Sequence, residues 1–127
     1  MALEDERLRR TKVATVSGGI FGGMRQVKAT FFLPLRDNDD RDLSAEISEV
    51  EDECFALFGA WTLSGYFKGA WRMDGGERKI ETSAAYVLIL SDDRLGQLED
   101  VLRRFKAKTT QEAIYLEIQR EVDLRLV

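Results

Sequence analysis

Residues 55–90 read FALFGAWTLSGYFKGAWRMDGGERKIETSAAYVLIL, and this stretch decides the fold. A helical segment stops at Gly59. Two alternating segments flank Asp74-Gly75-Gly76, and the second runs into a wholly apolar end. Asp-Gly between alternating segments predicts a two-residue type I′ hairpin loop, with φ > 0 at both central residues. Gly75-Gly76 is the rival loop. With Asp74-Gly75, Arg72 faces Glu77 and Lys68 faces Glu81; with Gly75-Gly76, Arg72 faces Lys79. Opposite charges across a strand pair stabilise and like charges cost, so the first register is expected. It puts Tyr66, Lys68, Ala70 and Arg72 on a polar side with Glu77, Lys79, Glu81 and Ser83. Phe67, Trp71 and Met73 then share the other side with Ile80 and Thr82.

Outward from the hairpin, both flanks are legible. Upstream, residues 43–58 carry Leu43, Ile47, Val50, Cys54 and Leu57 at helical spacing, with Ser44 as expected N-cap and Gly59 as stop. Cys54 lies in the apolar stripe and reads as a core residue. A reactive thiolate wants an electropositive setting, and its neighbours are Glu51 and Glu53. Before this helix stands RDNDDR, residues 36–41, a solvated turn. Its acids fail the calcium-loop pattern, which needs Gly at position six and Glu at position twelve. Earlier still, Val27, Ala29, Phe31 and Leu33 alternate with Lys28, Thr30 and Phe32 in a strand over 26–35, which Pro34 closes.

Downstream, residues 91–106 predict a second helix, with Ser91 as N-cap and Leu95, Leu98, Leu102 and Phe105 as its stripe. A strand is expected over 113–126. Ile114, Leu116, Ile118, Val122, Leu124 and Leu126 fall on one face, and only Arg120 breaks the pattern. This suits an edge strand, or one that continues into a partner.

The order β-α-β-β-α-β is the ferredoxin-like split βαβ: an α+β fold with an antiparallel sheet and two helices on one face. Its strand order, 4-1-3-2, centres the first and third strands, the two with apolar residues on both faces. Residues 24–127 are expected to form this domain, with 1–23 a flexible or accessory segment. SGGIFGG at 17–23 lacks the spacing of a phosphate-binding loop.

At 127 residues and 44% apolar, one domain with a real core is expected. A net charge of −4 argues against a nucleic-acid partner. With no histidine and one cysteine, multi-cysteine zinc sites and internal disulfides are excluded, and no metal or cofactor is expected. No apolar run approaches a membrane span and the first ten residues are rich in charge, so a cytoplasmic protein is expected.

From Lys28 to Val122 the chain resembles a group of small uncharacterised bacterial proteins. The resemblance rests on Phe32-Leu33-Pro34-Leu35, Phe58-Gly59-Ala60-Trp61-Thr62, Gly69-Ala70-Trp71 and Gln111-Glu112-Ala113-Ile114-Tyr115. It implies a ferredoxin-like fold and transfers no mechanism.

The favoured function is a non-catalytic domain that self-associates or docks a protein partner through its sheet. A homodimer is expected, with Phe32, Ala85, Val87 and Ile89 at the interface, because two helices cover only one face. The alternative is a small cofactor-free enzyme or small-molecule-binding domain of dimeric α/β-barrel type. Tyr66, Arg72, Glu81, Tyr115 and Glu117 would supply its polar groups, with Glu117 a base if burial raised its pKa. RNA binding by an aromatic third strand fits worst, since that strand offers Glu81 and Tyr86.

Overall fold

A computed structural model of the chain describes residues 20–21 and 24–127. The two-residue strand β1 (Ile20–Phe21) folds back on the start of β2 (Met24–Pro34). Then follow α1 (Ser44–Phe58), β3 (Thr62–Arg72), β4 (Arg78–Ser91), a single 3-10 turn (Asp92–Arg94), α2 (Leu95–Lys108) and β5 (Leu116–Gln119). The sheet runs β5-β2-β4-β3 with every neighbour antiparallel. This is the expected 4-1-3-2 order, and the fold is ferredoxin-like. The accessory role expected for 1–23 falls outside the described residues, apart from the β1 pairing. No helix among the described residues is long and apolar enough to cross a membrane.

The alternation in β2 and β4 builds the core. Val27, Ala29, Phe31 and Leu33 pair with Leu90, Leu88, Tyr86 and Ala84 and turn one face to the helices. Val50 and Cys54 of α1 and Leu98, Val101, Leu102 and Phe105 of α2 meet them there, all buried. Burying a side chain of this size contributes roughly 1.5–3 kcal/mol. The acidic face of α1 is not idle solvent surface: Glu49 pairs with Lys108 and Glu53 with Arg104, joining the two helices. Gly59 ends α1 at φ 81°, in the left-handed region that favours glycine.

The hairpin register departs from expectation. Arg72 pairs with Arg78, Trp71 with Lys79 and Lys68 with Thr82. The loop has three residues, not two. Met73 N–H donates to Glu77 at 2.8 Å, Gly76 N–H donates to the Met73 carbonyl at 2.8 Å, and only Gly76 takes positive φ, at 91°. This is a type I turn closed by a left-handed glycine, whose twist suits a hairpin as well as the two-residue loop does. Cross-strand charge chose wrongly because Arg72 and Arg78 are exposed, where water screens their repulsion. The faces change with the register: Phe67 and Trp71 lie with Ser83, Glu81 and Lys79, while Tyr66, Lys68, Ala70 and Arg72 lie with Ala84, Thr82, Ile80 and Arg78.

Three other boundaries move. Leu43, not Ser44, is the N-cap residue of α1; Ser44 donates its N–H and hydroxyl to Asp42. Ser91 precedes the 3-10 turn rather than α2, and its hydroxyl accepts from Gln26. The last strand is assigned only over Leu116–Gln119, opposite Lys28–Phe31 of β2. The charged turn is more ordered than a solvated loop. Asp37 is buried and accepts from the Asp39 and Arg41 backbones and the Arg41 guanidinium. Led by the Arg41 N–H, these bonds hold its carboxyl below the usual range against the opposing effect of burial.

Candidate functional site

The sheet face away from the helices carries the candidate site. Phe32 on β2 stacks against Phe67 of β3 at 5.8 Å and against Tyr115 at 4.5 Å. Between Phe32 and Phe67 runs β4, whose residues on this face are Ser83 and Ala85. Small side chains there let rings from β2 and β3 meet above the strand, and both are buried beneath them. The result is a three-ring row across the sheet, with Phe67 about half exposed and Tyr115 somewhat less so.

Toward the hairpin turn, this face opens into a cleft of about 230 Å³. Trp71, Arg72 and Asp74 from the hairpin, Lys79 and Glu81 from β4, Asn38 from the loop after β2, and Gln111 and Glu112 before β5 line it. Lys79 donates to the Asn38 carbonyl at 3.5 Å, and Asn38 donates to the Thr110 carbonyl at 3.1 Å. The rim is therefore tied to both flanking loops.

Glu81 is the chemical centre of the cleft. Partial burial pushes its carboxyl up, against the Trp71 indole hydrogen bond and the Lys79 charge, which favour the ionised form. A carboxylate raised by burial and held by one donor can accept a proton or read a positive charge. No group of three or more possible metal ligands occurs among the described residues.

The five sequence candidates separate. Glu81 lines the cleft, and Arg72 borders it from the other face of the hairpin, opposite Arg78. Tyr115 joins the ring row beside it, and Glu117 sits farther along β5, opposite Thr30, on the same face. Tyr66 lies on the other face of the hairpin, opposite Ala84. Trp71, Lys79, Asn38 and Gln111 were missed. The signal for Trp71 was its shared parity with Phe67, and Lys79 stands opposite it in the ladder; Asn38 and Gln111 come to the site only through loop closure. Of the expected interface residues, Phe32, Val87 and Ile89 are half-buried, and Ala85 is sealed within the single chain.

Other titratable groups are spent on the core. Burial, aided by Glu53 and Glu51, pushes the Cys54 thiol up to about 12. The buried Tyr86 hydroxyl is raised by burial and by its hydrogen bond to Glu51. Neither lines the cleft.

No family model matches the chain, and no curated protein does. Solved structures do. A phage SAM lyase in complex with S-methyl-5'-thioadenosine aligns at TM-score 0.58 and 19% identity, over 81% of this chain and 82% of that one. The same type of enzyme in its apo state aligns at 0.58 and 18%, over 73% and 78%. The divalent ion tolerance protein CutA1 of Ehrlichia chaffeensis aligns at 0.55 and 8%, over 80% and 86%. At these identities the likeness is one of fold.

Proposed function

We propose that this chain is a cofactor-free small-molecule-binding domain, with its ligand held on the open sheet face between the three-ring row and the cleft. The observation that carries this is Glu81: a half-buried carboxylate, raised by burial and hydrogen-bonded by Trp71, in the wall of a cleft. Flat rings next to one polar anchor suit a ligand with an aromatic part and a polar or cationic part. A nucleoside thioether has that shape, and a phage protein of the same fold binds one. Glu81 would take the ligand's proton or face its charge, with Lys79 for its polar edge. The alternative function thus fits better than a purely non-catalytic docking domain. Self-association across the same face, with Phe32, Val87 and Ile89 in contact and Ala85 behind them, is its companion and would roof the site.

Calorimetric titration with S-methyl-5'-thioadenosine and with SAM tests this, alongside chromatography of the mixture for products. We expect saturable binding that Glu81→Gln weakens about tenfold, as loss of a charge-assisted contact does. Tyr66→Phe, on the other face, leaves it unchanged. A folded wild-type chain that binds neither compound overturns this function and returns the docking domain to first place.

A further inference from the structure

Two pieces of backbone lack a partner among the described residues. β3 is an edge strand of 11 residues, and among the described residues nothing pairs with its outer side. Native edges are usually short, charged, bulged or covered. This one carries a single irregularity, between Leu63 and Gly65, and exposes Leu63, Tyr66, Phe67 and Trp71. The second piece is 121–127, which follows β5 after a bend at Glu121 and joins no ladder among the described residues. Its burial alternates: Val122, Leu124 and Leu126 are half-buried and the residues between them exposed. A period of two with one apolar side belongs to a strand.

The pieces match in parity and in charge. On β3, Phe67 and Trp71 mark the open face, while Lys68 and Arg72 point the other way, beside Arg78. None of these three cations has an ion pair among the described residues. On 121–127, Val122, Leu124 and Leu126 share one side, and Glu121, Asp123 and Arg125 the other, with Asp123 paired to Arg125 at 2.9 Å. A strand that lays its apolar side next to Phe67 and Trp71 therefore sets this polar side beside Lys68 and Arg72, where Glu121, which has no ion pair among the described residues, meets them and Asp123 exchanges Arg125 for one of them. Neighbouring strands gain from such apolar and opposite-charge pairs. Gly69, between Phe67 and Trp71 on that face, has open space where a side chain would stand. Seven extended residues span about 23 Å, within the roughly 36 Å that β3 offers.

We propose that 121–127 of one copy adds as a strand to the outer edge of β3 of a second copy. A second copy is the occupant because both complementary surfaces belong to this chain, and its own two are on opposite sides of the sheet. β5 and β3 are three strand spacings apart, about 14 Å. The contact is heterologous, edge to tail, so each copy offers one of each.

Charge reversal at exposed positions tests this without touching the core. Light scattering gives the mass of the full-length wild type, of Lys68→Glu/Arg72→Glu, and of Glu121→Lys/Asp123→Lys. We expect the wild type to self-associate and either double variant to dissociate at least about tenfold more readily. Mixed, the two variants form a 1:1 complex, since the reversed edge fits the reversed tail. All four changes in one chain restore wild-type mass. A monomeric wild type overturns the proposal. So does an assembly whose mass ignores both reversals, which points instead to face-to-face association. Ligand titration reads Glu81 separately, so failure here and failure of the binding site are told apart.

Discussion

The two halves of β4 live in different surroundings. From Ala84 to Leu90 the strand sits between β2 and β3, and its alternate side chains are buried under two helices. From Arg78 to Thr82 it continues with Lys68–Arg72 of β3 as an arm past the end of the β2 ladder, with Ile80 and Trp71 both more than a third exposed. Both halves contain large apolar residues at period two. Composition therefore does not distinguish a side chain that holds the fold from one left open for a ligand or a partner. Coverage does, and coverage depends on where the helices end.

The largest effect that would sharpen this contrast is at Phe31. Phe31→Ala should cost about 3–5 kcal/mol, as truncation of a buried ring does. Ile80→Ala, on the arm, should cost less than about 1 kcal/mol, since it is half exposed. Urea denaturation of both variants measures the difference; equal losses would mean that the arm belongs to the core.

Asp37 comes next, because it ties the loop between β2 and α1. Its lowered pKa makes its contribution full above the unfolded carboxylate value, near pH 4 by ordinary standards, and lost as pH falls through the folded value. Asp37→Asn should therefore lower the melting temperature at pH 7 and match the wild type in acid. A constant offset at every pH would contradict this.

The turn distinguishes the two candidate registers. Gly76→Ala forces a side chain to φ near 91° and should cost about 1–2 kcal/mol. At Gly75 a Cβ meets only the end of the Glu77 side chain, which can swing away, so Gly75→Ala should cost less. A two-residue Asp74-Gly75 loop would reverse that order.

The smallest effect is at Glu81. A raised carboxyl favours the folded state while protonated, and that advantage disappears as pH rises through the folded pKa. Glu81→Gln should be neutral in acid and slightly stabilising above neutrality. A variant less stable than wild type at pH 8 would give Glu81 a structural role.

Much of the fold was legible in the sequence because alternation and helical spacing report burial directly. Phe31 and Leu88 announced the core, and Gly59 announced the end of α1. The hairpin register was not, because two glycines in a row allow three loops and weak charge pairs were asked to choose among them. The site was half legible. Glu81 and Arg72 stood out as charges among aromatic residues. Asn38 and Gln111 come from segments more than 70 residues apart, and only the closure of the β2 and α2 loops brings them to the same rim. Glu117 was the expected base, yet it sits opposite Thr30 on β5, away from the cleft that Glu81 lines.

The three-residue turn has a consequence for inheritance. A related chain whose turn substitutions favoured a two-residue loop at Asp74-Gly75 would keep every strand residue, still fold a hairpin, and pair Arg72 with Glu77. Its β3 would turn over relative to β4, presenting Tyr66, Lys68 and Arg72 where this chain presents Phe67 and Trp71. An aromatic surface would become a basic one in a one-residue slip of register. Among relatives of this fold, the length of that turn should therefore track the kind of molecule they recognise more closely than any one substitution does.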